Sequence, residues 1–475
     1  MRLPKFALPS LLAGCLFASA SEAATGYLPV QLDSLMEARI EKLLVLASQT
    51  VIRRPISVAQ VEQALQQLGD REPLLRKQVE SYLERYQASA AISHAQVEVA
   101  VSDGTNHVRP NQLGLETDSA YNASLQTHWA PADWVRLNIG AVAHQRSDGE
   151  EDTFAEGSYL SLGGRYLQLD AGYRTHWMSP FQESAMLVSS NASAVPGVTF
   201  SNVIPISRLG FGYEIFFAQM SESDKILSQE RDQRLSGNPK LFGVHLSVQP
   251  IQGFALGLNR LMQYGGADRD ESFESLLKAF FNAKDNDNIG REGVDFGNQL
   301  SSVTTRYSFG DDFPVSVYME YAGEDTSNPS DYHLGNTSLM FGVHLPKLTE
   351  SVDLTFETAE WQNGWYVNHN YGDGLTNFHS IMGHWGAENR VQGDAVGASA
   401  QTLKLFWDLG SDKTLLTKIR QVDNKSYSAN DYDTGRELFL EYSQPFQRYR
   451  VGASLTVGSD VFGENYSAAT GFIRW

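Results

Sequence analysis

The sequence predicts a mainly β protein, a closed antiparallel transmembrane β-barrel of about 18 strands behind a small α-helical bundle. Three observations predict it. From about Ser93 onward apolar and polar residues alternate with period two. Short and long connections alternate along the same stretch. The last segment, Tyr466 to Trp475, has the strand pattern and ends on an aromatic residue.

The chain opens on an export signal. Arg2 and Lys5 are basic, Phe6 to Phe17 is apolar, and Ala18-Ser19-Ala20 and Ser21-Glu22-Ala23 supply small residues for cleavage. The apolar run is far shorter than the ~20 residues of a spanning helix. Residues 1–23 are therefore read as a signal peptide. Leu12-Ala13-Gly14-Cys15 also has the form of a lipoprotein box, which would make Cys15 an acylated residue. Cys15 is the single cysteine, so no disulfide forms within the chain.

Residues 24–92 are expected to form the helical bundle, on the periplasmic side. Asp33 can cap a helix with the stripe Met36, Ile40, Leu43, Leu44 and Ala47. Ser57-Val58-Ala59-Gln60 has the form of a capping box, with Ile56 and Val61 as a staple across it. Pro73 opens a third helix carrying Leu75, Val79, Leu83 and Tyr86.

Residues 93–475 are expected to form the barrel. Val315, Val317 and Met319 alternate with Ser316, Tyr318 and Glu320; Val352, Leu354 and Phe356 alternate with Asp353, Thr355 and Glu357. In each such strand one side suits lipid and the other a wet interior. Short links are expected near Ala130-Pro131, Pro250-Ile251, Asp311-Asp312, Pro346-Lys347, Gly410-Ser411 and Gln444-Pro445. Long polar segments fall near 103–119, 174–197, 221–237, 265–296 and 362–395. A membrane barrel keeps tight turns at one end and long loops at the other, whereas a soluble sandwich has no reason to. An even strand count requires splitting 198–220 at Arg208-Leu209-Gly210.

Composition narrows the partners. The formal net charge is -19, and removal of 1–23 leaves 35 basic against 55 acidic residues. Such a chain is a poor binder of nucleic acid. Mean hydropathy is -0.31, which in a barrel reflects the polar lumen-facing half of every strand.

The stretch Asn259 to Leu300 resembles the Wzi-type capsule assembly proteins. The resemblance rests on Arg260-Leu261-Met262-Gln263-Tyr264-Gly265-Gly266, Arg269, Ser272-Phe273, Asp287-Asn288 and Gly297-Asn298-Gln299-Leu300. His176-Trp177-Met178-Ser179-Pro180, Gly323-Glu324-Asp325, Tyr371-Gly372-Asp373-Gly374 and Gly393-Asp394-Ala395 extend it over most of the chain. The resemblance implies an outer-membrane barrel with a periplasmic helical bundle, acting as a surface lectin that holds capsular polysaccharide to the cell. Where that family tends to have Trp-Trp-Gly-Pro-Gly, this chain has His176-Trp177-Met178-Ser179-Pro180-Phe181.

No catalytic signature appears, neither Gly-x-Ser-x-Gly nor His-Glu-x-x-His, and no enzyme is expected. The segment 361–395 concentrates aromatics, whose faces stack on sugars. The expected polysaccharide-binding residues are Trp177, Trp365, Tyr366, Tyr371, Asp373 and Trp385. Trp361 and Trp365 read equally well as part of an interfacial aromatic girdle. Asp285 and Asp287 hint at a calcium loop, but Phe296 stands where an EF-hand glutamate would be, so no metal and no cofactor are expected. The expected role is non-enzymatic binding of capsular or exopolysaccharide at the surface of a bacterial outer membrane, aiding its attachment or assembly. The expected partners are that polysaccharide, the outer-membrane lipid and the barrel assembly machinery, with the protein itself a monomer. The alternative is a porin-like channel for small solutes, with Lys404 and Arg436 setting selectivity.

Overall fold

A computed structural model describes residues 24–145, 151–281, 296–326 and 334–475. The signal segment 1–23 and the candidate calcium loop with Asp285 and Asp287 lie outside the described residues.

Among the described residues three helices come first: α1 (Ser34–Leu46), α2 (Val58–Leu68) and α3 (Pro73–Gln87). Each starts where its capping chemistry stands. The Asp33 side chain accepts from the Leu35 amide, the Ser57–Gln60 capping box is formed, and Pro73 occupies the first turn of α3. Their apolar stripes, Ile40, Leu43, Leu44, Val61, Leu65, Leu75, Val79 and Leu83 among them, meet in one shared core.

Eighteen staves follow. They are β1 (Ala90–Gly104), β2 (Tyr121–Ala132), β3 (Val135–Gln145), β4 (Glu151–Phe154 continued as Tyr159–Gly164), β5 (Leu167–Gly172) and β6 (Gly197–Ser201). Next come β7 (Gly212–Gln219), β8 (Lys240–Ile251), β9 (Phe254–Tyr264), β10 (Gly297–Ser308), β11 (Ser316–Thr326) and β12 (Leu334–Leu345). The last are β13 (Val352–Trp361), β14 (Ala398–Gly410), β15 (Lys413–Asn424), β16 (Gly435–Phe446), β17 (Tyr449–Ser459) and β18 (Asn465–Arg474). Each is antiparallel to its neighbours, and β1 pairs with β18 from Gln96↔Arg474 to Gly104↔Tyr466. The barrel is closed, so no strand edge is left unpaired. A fourth helix, α4 (Phe273–Phe281), follows β9.

The split at Leu209-Gly210 is real: β6 and β7 pair directly, Gly197↔Ala218 to Ser201↔Glu214. Two turns expected at prolines lie slightly later, because the chain absorbs Pro131 and Pro250 in bulges, between Trp129 and Ala132 and between Val248 and Ile251. A residue without an amide hydrogen is tolerated at such a register shift.

Outside, Val97, Val99, Leu125, Ile139, Leu258, Leu339 and Trp407 are exposed, and form an apolar band. Inside, Glu98, Arg306, His344, Glu357, Lys404 and Arg420 are buried. The lumen is filled from both ends. An 18-stranded ring is too wide for its own side chains to fill. At the short-turn end the helices plug it through an apolar contact of Leu35 and Ala38 with Phe406, Leu416 and Phe439 and through ion pairs. Glu41 of α1 holds Arg54 and the wall residue Arg306 (3.2 Å), Glu37 holds Lys404 at 3.0 Å, and Asp33 holds Arg450 at 3.3 Å. Burial would raise the Glu41 carboxyl, but Arg54 and Arg306 outweigh it and hold it well below the usual range. From the other end, loop 173–196 descends until Trp177 and Arg54 exchange backbone hydrogen bonds, 2.8 and 3.0 Å. Plug and loop meet inside the barrel.

Candidate functional site

The long-loop end is roofed by two segments, 173–196 and 362–397. Met178, Phe181, Met186, Leu187 and Val188 from the first, and Trp365, Tyr366, Leu375, Met382 and Trp385 from the second, share one core with lumen-facing wall residues such as Phe216, Leu261 and Tyr318. Gly342, opposite the Tyr318 ring, and Gly243, opposite Phe216, leave the room these rings need.

Polar clamps hold the roof. Glu183 receives Lys418 (2.8 Å), Lys404 (3.4 Å) and Arg420 (3.3 Å) from the wall. The Tyr366 hydroxyl donates to the Met186 carbonyl at 2.6 Å and accepts from the His384 amide at 2.9 Å. Burial drives the His384 imidazole down to about 3, so it is neutral and its Nδ1 accepts from the Gly386 amide. Asp394 gathers Ser428, Tyr432 and Asn430 at 2.6 to 2.8 Å. Burial pushes its carboxyl up, but these donors prevail and hold it down to about 2.

Within the roof Thr376-Asn377 and Ser380-Ile381 pair as a hairpin. Its two tip residues, Phe378 (φ 46°) and His379 (φ 69°), are both left-handed. That geometry suits a two-residue hairpin but is costly for residues with a Cβ. The hairpin is tied on both sides: Ser221 Oγ accepts from the Phe378 amide at 2.9 Å, and Asn377 Nδ2 donates to the Ser193 carbonyl at 3.1 Å. Phe378 is 57% exposed, with one side against Phe154 at 5.5 Å.

Two clefts flank this hairpin and share Asp373, Gly374, Thr376 and His379. One, of about 150 Å³, continues to Ser221, Glu222 and Ser223. The other, of about 160 Å³, continues to Tyr366, Glu388, Arg390 and Gln392. Asp373 is held by Lys225 Nζ and Ser223 Oγ, both at 2.7 Å. Burial pushes the Glu388 carboxyl up to about 7 against hydrogen bonds from Ile381 and Asn191. The clefts thus offer paired charges and amide, hydroxyl and imidazole groups.

Of the residues expected from sequence, Trp365, Tyr366, Tyr371, Asp373 and Trp385 share the roof segment 362–397, while Trp177 lies deep against the plug. The rings of Trp177, Trp365, Tyr366, Tyr371 and Trp385 are all buried; Tyr366 and Tyr371 line the clefts, and Asp373 stands between them. Trp361 and Trp365 point into the barrel and belong to no outer girdle. Sequence reasoning counts Phe378 among the aromatics of 361–395 without selecting it for the site, and it missed His379. Their signal was a two-residue step between Asn377 and Ser380, hidden in a segment read as one long loop. Among the described residues no group of three or more histidine, cysteine or carboxylate residues is arranged to hold a metal ion.

Comparison with known proteins adds the following. The family model described as capsule assembly protein Wzi matches residues 88–426. A 90-residue stretch is 34% identical to the "uncharacterized 55.8 kDa protein in cps region" of Klebsiella pneumoniae, covering 18% of this chain and 17% of that protein. Wzi of Escherichia coli is described as an outer membrane protein involved in group 1 capsule assembly and a carbohydrate-binding β-barrel. Its solved structure superposes with a TM-score of 0.69 at 16% identity, over 95% of this chain and 99% of that one. At that identity the likeness is one of fold.

Proposed function

Because this match runs over most of its length, the chain belongs to the Wzi capsule assembly family, and on that premise we propose that its roof binds surface polysaccharide. The protein is an outer-membrane β-barrel, and in this reading its long loops face the cell exterior and its helices the periplasm. It acts without catalysis, holding a sugar chain at the surface and so aiding capsule attachment or assembly.

One observation carries the reading: the strained hairpin tip Phe378-His379 stands beside two clefts lined by charged, hydroxyl and aromatic groups, above a roof whose buried residues pack against the lumen-facing wall. A ligand reaching this roof meets a lumen occupied by the chain's own helices and by loop 173–196. The exposed Phe378 ring offers a face for a sugar. Asp373, His379 and Glu388 offer hydroxyl partners, with Tyr366 and Tyr371 edging the clefts. Trp177, Trp365 and Trp385 shape the roof from below. Since Asp373 is paired with Lys225, recognition runs through hydroxyl hydrogen bonds rather than through a charged patch.

The test measures binding of the cell's own extracted surface polysaccharide to the purified, detergent-solubilised protein. Phe378→Ala is expected to weaken binding about three- to tenfold, the worth of one aromatic contact. Deleting the gene should shift polysaccharide from the cell-bound to the free fraction. Unchanged binding and unchanged distribution together would end this reading.

A further inference from the structure

The block Arg260 to Leu300 meets the roof through Leu261, Gln263 and Leu300, and its described residues also build a structure on the outside of the barrel. On β8, Leu241 and His245 face the lumen and are buried, so Phe242, Val244 and Leu246 face outward. Leu246 is exposed, as an outer residue should be, yet Phe242 and Val244 are buried. On β9, Leu258 is 52% exposed while Met262 and Tyr264, on the same outer face, are buried. What covers them is α4 together with Phe296, which stacks on Tyr264 at 5.1 Å. Leu276, Ala279 and Phe280 of α4 pack on this outer wall at the long-loop end.

The chain is shaped to put the helix there. Gly265 and Gly266 turn left-handed just past β9, φ 65° and 81°, and Glu271 accepts from the Gly266 amide at 3.0 Å. Asp270 accepts from the Ser272 amide at 2.8 Å ahead of the first turn. Arg260 lies on the outer face between the lumen-facing Asn259 and Leu261. Its guanidinium donates to the Ala279 carbonyl at 3.2 Å and to Gln299 Oε1 at 2.5 Å, and it sits 5.1 Å from the Phe280 ring centre. A bare arginine on a lipid-facing wall is costly. Here α4 shields it, and its charge meets the carbonyl end of the helix.

With Leu276 and Phe280 against the wall, the free edge of α4 carries Phe273, Leu277 and Phe281, spaced one turn apart and 61%, 39% and 81% exposed. Glu274 and Lys278 follow on the next sector round. The apolar stripe continues the band formed below it by Leu246, Leu258 and Val303. We propose that α4 is an interfacial helix whose Phe273, Leu277 and Phe281 insert among the acyl chains of the leaflet on the long-loop side, while Glu274 and Lys278 stay in the headgroup layer. It sets the depth of the barrel in the membrane and ties the segment 265–281 to the lipid surface. This inference rests on the barrel crossing a membrane.

The test uses the full chain with Cys15→Ser, reconstituted in phosphatidylethanolamine–phosphatidylglycerol vesicles. Spin labels are attached to Phe273→Cys, Leu277→Cys, Phe281→Cys, Lys278→Cys and, as a barrel reference, Leu258→Cys. All five sites are on the outside, and retained heat-modifiability on gels checks each fold. Power saturation with oxygen and with a water-soluble nickel chelate reads the surroundings. Labels at 273, 277 and 281 should favour oxygen several-fold, at shallower depth than 258, while 278 favours nickel. Nickel access at 273, 277 and 281 with oxygen preference at 258 would overturn the inference and leave the membrane barrel standing. Nickel access at 258 would remove the barrel reading and the inference with it. Shielding of all three stripe labels from both reagents would mean that protein, such as a second copy, covers the stripe, and would also overturn it.

Discussion

Glu183 shows how much one residue fixes. Burial by itself would raise its carboxyl, but Lys418, Lys404 and Arg420 outweigh burial and hold it well below its ordinary 4.5. A depressed carboxyl contributes stability that is present above the unfolded value and lost only as pH falls through the folded one, so this anchor survives to well below pH 4.5. Glu183→Gln takes from buried Lys418 the carboxylate it is paired with, while Lys404 keeps Glu37 and Arg420 keeps Glu437. It is expected to destabilise the fold by about 3–5 kcal/mol, measured as a lower urea midpoint of the compact, heat-modifiable form; a shift under 1 kcal/mol would refute the role given to it. Sequence could nominate Trp365, Tyr371 and Trp385 by their concentration in one segment, but not their exposure. Whether a ring is open or covered depends on another loop, separated from it by more than a hundred residues, and local pattern carries no record of that.

At the scale of elements, capping and periodicity made α1, α2 and α3 legible to within a residue or two, because their signals lie inside each helix. Ser57 caps α2 and also donates to the Val203 carbonyl at 3.2 Å, tying the plug to the wall. Ser57→Ala should cost about 1–2 kcal/mol, the loss of a cap, again read in the urea midpoint, whereas Ser57→Asp should retain the cap. The strand pattern was equally legible, apart from bulges at Pro131 and Pro250. The helix α4 was not: its nine residues stand in a stretch that read as a polar loop, and its apolar residues point in two directions, to the wall and away from it.

For the whole molecule, the decisive feature is a lumen occupied by its own chain, with α1 and its ion pairs at one end, loop 173–196 at the other, and Arg54 joined to Trp177 between them. A porin-like role requires an open path. Planar bilayers containing the protein should therefore show no steady single-channel steps, and reproducible long-lived openings would restore the channel alternative. The sequence by itself determined the class and the bundle ahead of the barrel, because period-two alternation, turn spacing and helix caps are written between near neighbours; the even stave count also needed the assumption of a closed barrel. The tertiary structure alone decided what fills the lumen, which aromatics are covered and where α4 lies. Those outcomes depend on segments far apart in the chain competing for the same enclosed space, and that competition is settled only when the ring closes around them.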